Sequence, residues 1–189
     1  MASAMCLSKV LKLMLVMCIF IETGSAIRVD KQRGFKMCPG RQLGRIVSIE
    51  GGGPGCRKSN GKAQWPCLAL PGRAGTFSIS FTHETPGGFN KIDSSIHALV
   101  KLRGLFNIKQ RVPIRGEAKK NACPETSSQT ARGPQRGCPI RPGVVHTITK
   151  TVSVPGAIRL AERNMNLEVK LTDTKGNTII CFTAPMINP

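Results

Sequence analysis

Residues 76–82 read Thr-Phe-Ser-Ile-Ser-Phe-Thr, which is a strict alternation of apolar and hydroxyl-bearing side chains. Such an alternation is typical of a β-strand with one buried face, because successive side chains on a strand point to opposite sides of the sheet. Phe77, Ile79 and Phe81 are therefore predicted to face a core, and the serines and threonines between them to face away from it.

The same period of two recurs on both sides of this stretch, whereas helical periodicity is scarce. Further strands are predicted at 45–50, 96–103, 144–154, 165–172 and 178–184. Lys150 is the exception on the otherwise apolar face of the run at 144–154. Gly- and Pro-rich turns separate the runs, and residues 173–177 are predicted to form a hairpin between the last two. About seven short strands at such intervals indicate an all-β antiparallel sandwich or barrel.

The first 26 residues are predicted to be a secretory signal peptide. Lys9 and Lys12 precede an apolar run at 13–21, and the segment ends in the small residues Gly-Ser-Ala at 24–26. The apolar run is shorter than the roughly 20 residues that a membrane span needs, although an uncleaved anchor or a buried helix is the alternative. Residues 27–189 are predicted to form one domain that is secreted to the extracellular space, with the lysosomal lumen as a second destination.

Six of the eight cysteines follow residue 26, and an even number in an oxidising compartment indicates disulfides. A zinc site is disfavoured because no CxxC pair occurs and the three histidines, His83, His97 and His146, are scattered. Six cysteines allow 15 connectivities, and spacing alone does not choose among them. Two local disulfides and one that joins the ends would be an economical arrangement. The polar stretch at 124–137 is predicted to be a loop bracketed by Cys123 and Cys138. The six cysteines that follow residue 26 are Cys38, Cys56, Cys67, Cys123, Cys138 and Cys181.

The chain is strongly basic, with 28 Lys and Arg residues against 10 Asp and Glu residues. Removing 1–26 leaves 26 basic and 9 acidic residues, a net charge of +17. A charge of this size favours binding to anionic lipid head groups, lipid A phosphates or sulfated glycans. The alternative is a solvated basic surface that has no dedicated partner. Nucleic acid is disfavoured because the protein is exported and has no evident aromatic stacking platform. One basic cluster lies at 28–45, and the predicted head-group cluster consists of Lys101, Arg103, Lys109, Arg111, Arg115, Lys119 and Lys120.

The order of several short motifs resembles the ML lipid-recognition family, which includes the Niemann–Pick type C secreted sterol carriers and the group-two mite allergens. The resemblance spans about 36–187. It begins at Cys-Pro-Gly (38–40) and a short Cys pair, and continues through Arg-Val-Pro-Ile (111–114) and Gly-Cys-Pro-Ile (137–140) to Ile-Cys-Phe-Thr-Ala-Pro (180–185).

The resemblance implies an immunoglobulin-like sandwich of two sheets with three disulfides, Cys38–Cys181, Cys56–Cys67 and Cys123–Cys138. It also implies that a sterol, a fatty acid or acyl chain, or a lipid A-like bacterial glycolipid is held between the sheets and carried without catalysis. The chain departs from the sterol carriers at Val112, where they tend to have an aromatic residue, so the pocket is predicted to be more aliphatic.

The inward residues of a sandwich either fill the space between the sheets or line a cavity there, and both alternatives remain open. The residues predicted to contact lipid are the inward apolar ones of the strands, namely Phe77, Ile79, Phe81, Ile96, Ala98, Val100, Leu102, Val112, Ile114, Ile148, Val152, Val169, Leu171 and Phe182.

Two functional hypotheses follow, and neither needs a cofactor or a metal. The first is a secreted protein that binds or transfers one apolar lipid between its sheets. The alternative is a basic interaction module that has a filled core and binds polyanions, anionic membranes or bacterial surfaces. An enzyme is disfavoured because no motif places a nucleophile beside any of the histidines. Lipid binding should survive high salt, whereas charge-driven binding should not.

Overall fold

The computed structural model describes residues 34–52, 56–59, 62–64, 67–68, 72–101, 109–130, 133–154, 156 and 164–187. The predicted signal peptide at 1–26 lies outside these residues. Across the described ranges the chain is folded into strands, with one 3₁₀ turn at Cys123–Glu125. These ranges contain no helix that is long and apolar enough to cross a bilayer.

One sheet has seven strands, five of which form a continuous order. These five are β1 (Lys36–Met37), β14 (Thr178–Ile187), β13 (Asn164–Asp173), β7 (Ile92–Lys101) and β8 (Lys109–Pro113). Two short strands add to its edges: β5 (Cys67–Leu68) pairs with β14, and β9 (Lys120–Asn121) pairs with β7. The pairing of β5 with β14 is parallel, and the other pairings in this sheet are antiparallel.

The second sheet has five strands in the order β11 (Gly133–Arg136), β10 (Thr126–Thr130), β12 (His146–Ser153), β6 (Ala74–His83) and β2 (Gly44–Gly52). All of its pairings are antiparallel. A separate two-stranded hairpin is formed by β3 (Arg57–Ser59) and β4 (Lys62–Gln64). The two large sheets confirm the all-β antiparallel sandwich.

The inner faces of the sheets supply the core, and the strand register explains how. On β13, Val169 lies between Phe182 of β14 and Ile96 of β7. On β6, Ile79 lies directly across from Ile148 of β12. All five side chains are almost completely buried, so alternate residues of each strand contribute to one apolar layer.

The outward face of β6 behaves as its sequence predicts. Its hydroxyl-bearing residues meet those of β12 in a cross-strand ladder, with oxygen–oxygen distances of 2.9 to 3.2 Å. Such pairs satisfy polar groups on the solvent side of a sheet and stabilise the strand pairing. The pairs of the ladder are Thr76–Thr151, Ser78–Thr149 and Ser80–Thr147.

The prediction of a loop at 124–137 is wrong, because this stretch folds into the 3₁₀ turn and the β10–β11 hairpin. β10 pairs with β12 through backbone groups and buries two small polar side chains, Thr126 and Ser128. An edge hairpin of this kind needs no apolar alternation, so the sequence lacked the usual signal. The strand number also exceeds the predicted seven, since fourteen occur in the described ranges and six of them have four residues or fewer.

Two of the implied disulfides are confirmed. Cys38–Cys181 joins the segment after β1 to β14 across 143 positions of sequence, and Cys123–Cys138 closes the β10–β11 hairpin across 15. Cys56 is also disulfide-bonded. The side chain of Cys67 lies outside the described part of the structure, so the pairing of Cys56 with Cys67 stays a prediction.

Candidate functional site

The residues predicted to contact lipid lie mostly on the inner faces of the two sheets. Twelve of the fourteen are buried, which agrees with their predicted inward orientation. Val112 is partly buried and packs against the same core, while Leu102 lies outside the described residues. Contact with a ligand stays a prediction for all of them, because burial alone does not distinguish a core residue from a pocket residue.

The same inner faces include apolar residues that the prediction omitted. Leu167 and Met165 of β13, and Ile180 and Ala184 of β14, are buried in register with the predicted set. The alternation at 165–172 already contained the signal for the first two.

Phe89 and Ile140 are also buried, and they form an isolated bridge between two loops. Neither lies in a strand, and the signal for pairing two loops is absent from the local sequence. This bridge belongs to the end of the sandwich at which β6 leads into β7.

At the opposite end, where β2, β7 and β14 finish, several inward positions hold small residues. There Gly51 lies across from Phe77, and Gly75 lies across from Val152. In the other sheet, Ala98 and Ala184 flank Leu167. Glycine and alanine occupy little of the space between two sheets, while the larger Met165 and Met186 lie across from each other at this end. We call it the small-residue end.

Lys150 is the most unusual residue of the inner faces. It lies on β12 across from Phe77, and only 2% of its surface is exposed. Its ammonium donates a hydrogen bond to Glu117 at 3.1 Å and also contacts the carboxylate of Glu125. The exception in the sequence pattern is therefore a buried lysine with two carboxylate partners, consistent with the rule that buried charges are paired.

Lys120 completes a charge network with the same two carboxylates. It donates to Glu125 at 2.7 Å and to Glu117 at 3.3 Å, and these bonds raise the pKa of its ammonium. Burial on its own raises the pKa of Glu125, but the hydrogen bonds from Lys120 and Lys150 outweigh it and bring this pKa below its usual value. Two lysines and two glutamates thus form a closed, neutral set, which we call the charge quartet.

The predicted head-group cluster is less available for anions than its sequence indicated. Arg111 forms an ion pair with Glu168, and Lys120 belongs to the charge quartet. Arg115 and Lys119 are exposed, and Lys101 is partly buried with a partner of its own. The side chains of Arg103 and Lys109 lie outside the described residues. Counting basic residues along the chain missed the partner of Arg111 because Glu168 is remote in sequence.

Two buried histidines lie at the end of the sandwich opposite the small-residue end. His83 accepts a hydrogen bond at Nδ1 from the Thr85 amide and donates one from Nε2 to the Ile140 carbonyl, which requires the neutral ring. His146 places Nε2 2.9 Å from the Arg141 carbonyl oxygen, while its buried Nδ1 has no partner in the described structure. Burial is the main reason that the pKa of each ring is lowered from 6.5.

These lowered pKa values predict that acid destabilises the protein. A histidine whose pKa is lower in the folded state binds protons more readily when unfolded, so its stabilisation is complete above pH 6.5 and is lost below it. His97, whose pKa is lowered chiefly by burial, acts in the same direction. We expect the midpoint of urea unfolding to fall steadily as the pH drops from about 7.5 to 5.5. The variant H83N/H146N should show a flatter dependence, and a midpoint that rises in acid would contradict the prediction.

Comparison with known proteins identifies the family to which the chain belongs. The model of the ML domain matches residues 35–187. A search of curated proteins finds no match. Among solved structures, the Niemann–Pick type C2 protein from Japanese carpenter ant is 16% identical with a TM-score of 0.56, over 82% of this chain and 98% of that one. This likeness shows a shared fold.

Two further structures are more distant. The C-terminal domain of wzt is 10% identical with a TM-score of 0.46, over 84% of this chain and 79% of that one. Chicken MD-1, crystallised with lipid IVa, is 7% identical with a TM-score of 0.32, over 83% of this chain and 99% of that one. The family match spans both sheets and both described disulfides. The chain therefore belongs to the ML domain family.

Proposed function

We propose that this protein binds one apolar lipid between its two sheets and carries it without catalysis. The observation that carries the proposal is the ML domain match over 35–187, because this family is one of lipid recognition. The apolar inner faces of the two large sheets support it, since small-molecule sites for apolar ligands are mostly apolar and shielded from water.

The pocket is proposed to open at the small-residue end. Gly51, Gly75, Ala98 and Ala184 lie there, and each is smaller than the branched and aromatic residues of the inner faces. Val100 and Val112 approach the same end on β7 and β8. Each methylene group of a ligand buried in this space contributes about 0.8 kcal/mol, so an acyl chain or a sterol needs little polar contact.

A sterol, a fatty acid and a bacterial glycolipid all satisfy this apolar requirement. The exposed Arg115 and Lys119 favour delivery from, or to, anionic lipid surfaces, since each basic residue near such a surface contributes about 1 kcal/mol. Secretion to the extracellular space accords with the predicted signal peptide and with the disulfides.

Substitutions in the proposed pocket test this placement. We expect A98F to fill the space beside Leu167 and to weaken the binding of a fluorescent sterol or fatty acid by at least about tenfold, or 1.4 kcal/mol. V100E and V169E should abolish binding, because each places a charge on an apolar inner face. Binding is measured by fluorescence titration in high salt, which removes purely electrostatic attraction.

N166E is the matched control, because Asn166 is exposed on the same strand as Val169. It should bind lipid within about twofold of the unmodified protein. The glutamate variants also affect folding, so loss of binding in them does not by itself identify the pocket. A98F therefore provides the decisive binding measurement, and near-ultraviolet circular dichroism shows whether it is folded. A folded A98F protein that binds as tightly as the original would exclude this pocket. Binding that vanishes in high salt for all proteins would instead favour the charge-driven module.

A further inference from the structure

A groove of about 550 Å³ lies at the end of the sandwich opposite the small-residue end. Its walls come from three separated segments: the one that leads into β2, the β6–β7 loop and the β13–β14 hairpin. Its volume falls within the range of roughly 300–1,000 Å³ that is usual for small-molecule sites. Among the strand residues, only the last residue of β13, Asp173, and the first of β14, Thr178, line it, whereas Ala98, Val100 and Ala184 of the proposed lipid pocket do not. The groove is therefore a second, distinct feature.

The base of the groove is closed towards the space between the sheets. Phe89 is buried, and its backbone exchanges two hydrogen bonds with Ile140 at 2.9 and 2.8 Å. Its ring packs against that of His83 at an interplanar angle of 47°, with 4.5 Å between the ring centroids. Gly88 approaches so closely that an added Cβ would lie 2.1 Å from the Ile140 carbonyl oxygen. This packing separates the groove from the apolar core.

The charges that line the groove favour an anion. Arg41, Lys91 and Lys175 are all exposed along it. Lys91 has a loose contact of 3.7 Å with Asp93, whereas Arg41 and Lys175 form no ion pair within the described part of the chain. A guanidinium and an ammonium that line the same cleft are suited to sulfate, phosphate or carboxylate groups.

Asp173 is the one acidic residue among those that line the groove, and its carboxylate already accepts hydrogen bonds within its own turn. The carboxylate of Asp173 accepts hydrogen bonds from the Lys175 amide at 2.9 Å, the Asn177 amide at 2.8 Å and the Asn177 side chain at 2.8 Å. These bonds stabilise the ionised carboxylate and fix the hairpin, so the groove combines three exposed cations with one hydrogen-bonded anion. The Leu43 amide donates to the Thr178 carbonyl at 3.0 Å, which holds a second wall in place. The groove is therefore preformed, and little ordering cost opposes binding.

We propose that this groove binds an anionic saccharide, sulfated or phosphorylated, independently of the lipid. The cations Arg41 and Lys175 bind the anionic substituent, and the exposed amide of Asn90 and the threonine hydroxyls of the rim bind sugar hydroxyls. Leu43 and Pro86 supply an apolar wall for a sugar ring. The site thus goes beyond lipid carriage and provides recognition of a second chemical class.

The test is an NMR titration of the full secreted protein with a defined heparin-derived tetrasaccharide at physiological salt. Its desulfated counterpart and inorganic sulfate serve as companion probes. We expect amide shifts confined to 41–43, 85–91 and 173–178, and tighter binding of the sulfated saccharide than of either companion. The variant R41Q/K175Q should weaken its binding at least about tenfold.

The matched control is R136Q/K36Q, which removes the same charge from exposed residues outside the groove. It should change the affinity by less than about threefold, and both variants should melt at the temperature of the original protein. An equal loss of affinity in the two double variants, or amide shifts scattered over the whole basic surface, would contradict binding in the groove. Either result would instead indicate diffuse electrostatic attraction. Equal affinity for inorganic sulfate would contradict recognition of a saccharide. Absence of any binding would contradict the proposal that the groove is a binding site.

Discussion

Replacement of Cys38 and Cys181 by serine is expected to lower the free energy of unfolding by about 5 kcal/mol. The disulfide closes a loop of 143 positions, and the chain-entropy model assigns about this value to a loop of that length. Domains are usually stable by roughly 5–15 kcal/mol, so the loss removes a third or more of the total. Removal of Cys123–Cys138, whose separation is 15, should cost about 3 kcal/mol.

The first variant should still fold, because hydrogen bonds hold the same ends together. Gln42 donates to the carbonyls of Cys38 and Cys181 at 3.1 and 3.0 Å, and it accepts from the Cys181 amide at 2.8 Å. Urea unfolding of C38S/C181S, C123S/C138S and the original protein gives the comparison. A larger loss for C123S/C138S would show that loop length does not set the contribution of these bonds.

Replacement of Lys150 by methionine is expected to cost about 3 kcal/mol. Removing one partner of a buried ion pair leaves an uncompensated charge, which typically costs 3–5 kcal/mol. The lower end applies here because Lys120 continues to pair with both Glu117 and Glu125. The expected loss is therefore the penalty for a charge quartet that has become a triad with one excess negative charge.

Two companion variants separate charge balance from packing. K150M/E125Q restores a net charge of zero in the network and should recover most of the lost stability. Replacing both partners of a buried ion pair together often changes the free energy of unfolding very little. K120M removes the more exposed lysine of the same quartet and should cost no more than about 1 kcal/mol. If K120M and K150M destabilise equally in urea unfolding, burial does not govern the energetics of this network.

The strands could be predicted because their alternation is local. Residues 76–82 carry the whole signal for β6, and 165–172 carry it for β13. The disulfide pairing came from the resemblance to the ML domain, since spacing alone left 15 connectivities. The edge hairpin at 126–136 was missed because a partner strand, and not its own side chains, determines that it pairs.

The polar features of the interior and surface were not predictable in the same way. Lys150 meets its two carboxylates only when β12 lies against the β8–β9 loop, which carries Glu117, and the turn before β10, which carries Glu125. The saccharide groove combines three segments that are separated by some forty to eighty residues along the chain. Neither arrangement leaves a periodic trace in the sequence, because each depends on how the two sheets are placed against each other.

Native mass spectrometry of the secreted, disulfide-intact protein, followed by extraction and identification of any bound lipid, tests the central claim most directly. The account predicts close to one lipid per chain, retained in high salt and diminished in A98F. An empty protein that also fails to bind added sterols, fatty acids and lipid A would contradict it, because a sandwich with a filled core leaves no place for the ligand.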